Sequence, residues 1–304
     1  MNSTFYSHGK LLLTAEYAVL DGALALALPT KKGQSLTVEP SDENGILWQS
    51  FDVNGQIWIE ESVDYSEIFN FSLDAKVSDP RSRLLQLLAA CRDLNPQFLT
   101  EKSRLKVSTH LEFPQDWGLG SSSTLVSNLA QWANVNPYEL LEKTFGGSGY
   151  DLACAGANTA ITYRRDKFEP QIKAVSFQPE FYDQLFFVHL NKKQNSRQAI
   201  AHYRNQPLDE KAGFIEKVGS LTKQILQSKT LKDFCALIDE HEQVLGAVLQ
   251  LKPIKEELFP DYPGSIKSLG GWGGDFVLAT GEEAPDYFQK KGFETIIPFE
   301  KMVL

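Results

Sequence analysis

The stretch DWGLGSSSTLV, residues 116–126, sets two glycines and three serines directly against an apolar pattern. Leu125, Val126, Leu129, Ala130 and Ala133 recur at three- and four-residue spacings, which predicts an amphipathic helix over about 122–134. The serines therefore fall at its N-terminus. There the first turn leaves backbone N–H groups without partners and carries roughly half a positive charge. Gly118 and Gly120 let the backbone approach an anion closely, so phosphate suits the place. A Ser-capped helix after a tight loop would carry the same letters. The rest of the chain has to decide.

With 304 residues the chain exceeds one ordinary core and fits two domains. Hydrophobic residues make up 42% and charged residues 23%, values of a soluble globular protein. A formal net charge of −9 without a clustered Lys/Arg stripe argues against a nucleic-acid partner. Cys91, Cys154 and Cys235 lie far apart in apolar neighbourhoods and read as buried thiols of a reducing compartment. The five histidines show no zinc-ligand spacing. The apolar run from Leu11 to Leu28 is broken by Glu16, Asp21 and Gly22 and no basic stretch precedes it, so two strands around a turn are expected rather than a membrane span or signal peptide. The expected location is cytoplasmic, with no membrane partner.

Short alternating runs fill the first half: KLLLTAEYAVL, ALALALP, SLTVEP, ILWQSF and QIWIEES are expected strands, RLKVSTHLEF (104–113) another, and about 80–94 a helix. NTAITYRR (158–165) closes that half as a strand. From QLFFVHLN (184–191) onward the pattern turns helical, over about 196–205, 209–228 and 231–251, before two strands around the glycine-rich SLGGWGGD. This order implies an α+β protein of two domains, divided as 1–183 and 184–304.

Three motifs stand in sequence: GKLLLTAEYAVLDG (9–22), PQDWGLGSSST (114–124) and KSLGGWGGD (267–275). Together they resemble the GHMP kinase superfamily, the group of galactokinase, homoserine kinase, mevalonate kinase and phosphomevalonate kinase. Ala15 stands where the family's first motif has Gly, Ser123 where its second has Ala, and Gly271 and Trp272 where its third has Ala and Gly. GSGYDLACAGANTAITYRR (147–165) is similar to the phosphomevalonate kinase form, which points to the isoprenoid branch.

The resemblance implies a ribosomal-protein-S5-like N-terminal domain, a ferredoxin-like C-terminal domain, and ATP and Mg²⁺ as cofactors. Pro114, Gly118, Leu119, Gly120, Ser121, Ser122 and Ser123 would form the ATP-phosphate loop. Ser122 would ligate Mg²⁺, with Glu142, nine residues before Asp151, as a second ligand. Asp151 would take or orient the proton of the attacking hydroxyl, and Lys10 would stabilise charge on the transferring phosphoryl group. Glu16 and Tyr17 would line the acceptor side, and Gly270, Gly273 and Gly274 would stand near the phosphates. Arg164, Arg165, Lys192, Ser196 and Arg197 are candidates to grip an anionic small-molecule acceptor. His241 and Glu242 are expected to be structural.

The leading function is therefore an ATP-dependent small-molecule kinase with phosphomevalonate or mevalonate as acceptor, working as a monomer or homodimer. A diphosphomevalonate decarboxylase and a non-catalytic nucleotide- or metabolite-binding relative are the alternatives. Walker, protein-kinase and Rossmann signatures and the G-x-S-x-G elbow are all absent from the sequence.

Overall fold

The computed structural model describes residues 2–100, 103–166, 169–193, 196–207 and 211–304. The chain forms two compact units, one of Met1–Gly9, Lys32–Gln115 and Gly120–Gly156, the other of Lys10–Lys31, Asp116–Leu119 and Ala157–Leu304.

In the first unit β1 (Ser3–Leu12) pairs with β2 (Ala25–Pro40), and both strands continue along the chain from one unit into the other. β3 (Ile46–Phe51) and β4 (Ile57–Val63) form an antiparallel pair, β5 (Leu105–Leu111) runs parallel to β3, and β2 pairs antiparallel with β5. The period-two alternation of these strands buries Leu36, Val38, Ile46, Trp48 and Val107 in one core. After α1 (Tyr65–Phe69), α2 (Pro80–Leu94) starts where the Asp79 side chain accepts from the Ser82 N–H and Pro80 occupies its first turn. It contributes Leu84, Leu87 and Leu88 to that core. α3 (Ser121–Ala133) contributes Val126, Leu129 and Ala130, and α4 (Pro137–Thr144) adds Leu140 and Leu141. α5 (Tyr150–Ala155) completes the unit. Each large apolar side chain removed from water stabilises the unit by roughly 1.5–3 kcal/mol.

A buried polar network fixes α3 against the strands. The Ser7 hydroxyl lies 2.8 Å from both the Ser127 hydroxyl and Asn128 Oδ1, Asn128 Nδ2 donates to the Gln34 carbonyl at 2.9 Å, and the Thr124 hydroxyl donates to Gln34 Oε1 at 2.6 Å. Apolar packing alone would let the helix slide, whereas these directional bonds set its position along its axis.

In the second unit the first part of β2 pairs with β6 (Ile161–Arg164), which pairs with β7 (Gln171–Ala174). β8 (Leu185–His189) then opens a second sheet. α6 (Ser196–Arg204), α7 (Lys211–Gln227), α8 (Leu231–Leu249) and α9 (Ile254–Leu258) follow, then β9 (Ile266–Ser268), β10 (Phe276–Thr280), α10 (Ala284–Lys290), β11 (Ile296–Pro298) and α11 (Phe299–Met302). The sheet order is β11-β8-β10-β9, all antiparallel. A β-α-β-β-α-β course with its fourth, first, third and second strands in that order is the ferredoxin-like arrangement. We propose residue 183/184 as the boundary of this module, since β8 begins at Leu185.

One expected strand is corrected. KLLLTAEYAVL stays extended only to Leu12, and Ala18–Asp21 is a 3₁₀ turn. Ala15 and Tyr17 have positive φ, 66° and 60°, which no strand accommodates. No helix among the described residues is long and apolar enough to cross a membrane.

Candidate active site

In the first unit the decisive element is the start of α3. Gly120, left-handed at φ 88° and ψ 43°, is its N-cap, and no side chain caps the first turn. The first intrahelical bond runs from the Thr124 N–H to the Gly120 carbonyl at 3.0 Å, so the amides of Ser121, Ser122 and Ser123 precede the ladder. Such unpaired amides at the start of a 13-residue helix, with its dipole, suit an anion. Ser121 and the exposed Ser122 also border a cavity of about 230 Å³ lined mainly by apolar groups, among them Trp48, Ile59, Leu84, Leu87 and Phe145. Arg83 stands 4.5 Å over the Phe145 ring at its edge.

Asp151 lies in the first turn of α5, which starts after left-handed Gly149. The hydroxyl of Ser123, a residue only 6% exposed, donates to Asp151 Oδ2 at 2.5 Å. Burial, and then the negative charge of Asp151, push the Tyr138 phenol up to about 12, so Tyr138 stays neutral beside that carboxylate. Glu142 is exposed on α4, and among the described residues no hydrogen bond or ion pair links it to Ser122 or Asp151. No three His, Cys, Asp or Glu side chains among the described residues cluster to hold a metal ion.

In the second unit the Lys10 ammonium donates to the Gly118 carbonyl at 2.8 Å, and the Lys10 N–H donates to the Leu119 carbonyl at 3.0 Å. Leu119 is fully buried and anchors the loop, while Pro114 and the 3₁₀ turn Gln115–Trp117 lead into it. Gly118 sits at φ 65°, and a Cβ there would stand 2.4 Å from the Asp275 carboxylate. Only glycine fits. The Asp275 N–H donates to the Lys192 carbonyl at 2.7 Å and the Leu190 N–H donates to the Asp275 carbonyl at 2.8 Å, which ties the third glycine loop to the end of β8. Gly270 and Gly273, in that loop, take φ 66° and 82°.

Trp272, bulky where the resembling motif has Gly, turns its ring inward. It is 4% exposed and packs at α8, where a Cβ on Gly246 would stand 3.3 Å from the indole. The Trp272 backbone N–H donates to the Tyr17 hydroxyl at 3.1 Å, and the Tyr17 ring stacks on Tyr203 at 5.7 Å. The Tyr203 hydroxyl donates to Asp21, which also pairs with Arg204 and Lys211.

Glu16 and Tyr17, expected on the acceptor side, are both buried. Glu16 is fully buried and paired with Lys267, which also donates to Glu242 at 2.9 Å. The Ser268 hydroxyl donates to Glu242, and the Ala15 N–H donates to His241 Nε2 at 3.0 Å. Burial drives Glu16 up to about 7 against the attraction of Lys267. Burial also opposes the charge on Lys267, but Glu16 and Glu242 outweigh it and raise its pKa. His241, buried and beside Lys267, falls well below its ordinary value and is neutral. Thus Glu16 and Tyr17 have structural partners, as His241 and Glu242 do.

Arg164, Arg165 and Lys192 are exposed, Ser196 opens α6, and the side chain of Arg197 lies outside the described residues. Sequence reasoning missed three features: Lys267 as partner of Glu16, Asp275 as the group enforcing Gly118, and the bond from Ser123 to Asp151. The last left a signal, a hydroxyl where the resembling motif carries Ala.

No family model matches the chain, and no curated protein matches it. Solved structures do. A Lin0012 protein from Listeria innocua aligns at a TM-score of 0.72 and 17% identity, covering 98% of this chain and 97% of that one. The Methanococcus jannaschii mevalonate kinase aligns at 0.68 and 14%, covering 98% and 97%. The Streptococcus pneumoniae phosphomevalonate kinase in complex with phosphomevalonate and AMPPNP aligns at 0.66 and 16%, covering 97% and 99%. The chain has the GHMP kinase fold.

Proposed function

We propose that this chain is an ATP-dependent small-molecule kinase, with phosphomevalonate or mevalonate as the leading acceptor. The observation that carries the reading is the uncapped start of α3: left-handed Gly120 presents the amides of Ser121, Ser122 and Ser123, with the Asp151 carboxylate bonded to the third of these serines. The apolar cavity beside Ser121 and Ser122 fits a nucleoside, and the amides fit its phosphates. The structurally similar mevalonate kinase and the phosphomevalonate kinase complexed with AMPPNP support the same reading.

In this account the backbone of residues 118–122 would hold the phosphates, and the exposed Ser122 hydroxyl would hold Mg²⁺. Glu142 is assigned as a further ligand from the sequence pattern. Mg²⁺ supplies charge neutralisation on the phosphates. Asp151 accepts the proton of the acceptor hydroxyl, and Lys10 stabilises negative charge on the transferring group. Gly270 and Gly273 keep the third loop's backbone close to the substrate, and Arg197 grips an anionic acceptor.

ADP release with Mg-ATP against phosphomevalonate, mevalonate, diphosphomevalonate, homoserine and galactose tests the proposal. Turnover with one of the first two supports it, release of carbon dioxide with ADP from diphosphomevalonate replaces it with a decarboxylase, and background rates throughout reject it.

A further inference from the structure

Ser123 is the third residue of α3, where a serine ordinarily turns its hydroxyl to the helix or to solvent. Here the hydroxyl is buried and leaves its own helix to reach α5, donating to Asp151 Oδ2 at 2.5 Å. The bond joins the element that presents the phosphate-binding amides to the element that carries the carboxylate. We infer that Ser123 is a positioning residue for Asp151, fixing one carboxylate oxygen so that Oδ1 faces the acceptor hydroxyl. This rests on the kinase reading of Asp151 above.

A free carboxylate turns about a broad, roughly two-fold torsion. A hydroxyl bonded to one oxygen selects one orientation, and a bond to an ionised acceptor is among the stronger kinds. α3 is itself held by Gln34, Asn128 and Ser7, so the donor is fixed as well. The alternative role, that the Ser123 hydroxyl itself contacts the phosphates, requires that hydroxyl to be free for nucleotide. It is engaged by Asp151 instead.

The test compares wild type, Ser123→Ala, Ser123→Thr and Asp151→Ala with phosphomevalonate or mevalonate, whichever turns over. Crystal structures of wild type and Ser123→Ala accompany the kinetics. Ser123→Ala should lower kcat about ten-fold, the effect of losing one well-placed bond to a charged group. KM for ATP should stay within about two-fold, since the first-turn amides that hold the phosphates are unchanged. Ser123→Thr should restore kcat, and in the Ser123→Ala crystal the Asp151 carboxylate should take a second orientation. Wild-type kcat in Ser123→Ala, a raised KM for ATP at unchanged kcat, or an unmoved carboxylate each overturns the inference. No turnover by wild type overturns the functional reading alone, because the crystal comparison still decides whether Ser123 holds the carboxylate, whereas full turnover by Asp151→Ala overturns the inference with the role of Asp151.

Discussion

At the scale of residues, Gly118 is constrained twice, by a φ of 65° and by the Asp275 carboxylate 2.4 Å from where a Cβ would stand. Gly118→Ala should cost about 1–3 kcal/mol of stability and weaken ATP binding, because the loop must shift to clear the carboxylate. A thermal melt and a nucleotide titration measure both effects. Unchanged values in both would show that Asp275 yields and the loop is not held by it. Trp272 illustrates a different constraint. Its indole fills the space opposite Gly246 on α8, so the bulky residue anchors the third glycine loop from behind and leaves the loop's front to Gly270 and Gly273.

At the scale of elements, α3 matters most because its first turn is the proposed anion site. Asn128→Ala removes both the donor to the Gln34 carbonyl and the acceptor facing Ser7, inside a buried network. The expected loss is about 1–3 kcal/mol, read by chemical denaturation, and a neutral result would mean that apolar packing alone fixes the helix. Much of this level was legible in the sequence. The periodicity placed α2 and α3 within a residue or so, because each buries one apolar stripe and each has an unambiguous start, Asp79-Pro80 in one case and Gly120 in the other. The six-residue α5 was not legible. It is too short to display a period, and its start depends on a left-handed glycine rather than a capping side chain. Nor was the turn at 13–22, where apolar letters signalled burial but not extension: Ala15 and Tyr17 have positive φ and are bonded to His241 and Trp272 from remote parts of the chain. For the same reason the sequence could assign Glu16 and Tyr17 to an acceptor, since nothing local to them reveals that Lys267 and Trp272 are their partners.

At the scale of the whole molecule, two dependences of stability follow. Glu16 titrates near 7 in the folded chain against 4.5 for an ordinary glutamate. A group whose folded pKa is raised contributes stability that is present below its unfolded pKa and is lost as pH rises through the folded value. The melting temperature should therefore fall between about pH 4.5 and pH 7, a window set by the two pKa values of Glu16. Glu16→Gln should flatten this slope, and an equally steep slope in that variant would place the titration elsewhere. Mg-ATP should stabilise the fold by mass action, by about 2.7 kcal/mol at a hundred times its Kd, and no shift at millimolar Mg-ATP would argue against the nucleotide site.

The central claim, that the α3 loop and Asp151 serve phosphoryl transfer, is tested most directly by coupled ADP release from Mg-ATP with phosphomevalonate and mevalonate, run on wild type and Asp151→Ala side by side. Acceptor-dependent turnover in the wild type, reduced at least a hundred-fold by the substitution as general-base loss requires, is the predicted result. Acceptor-dependent turnover that Asp151→Ala leaves intact, or ADP release that no acceptor stimulates, would contradict the account.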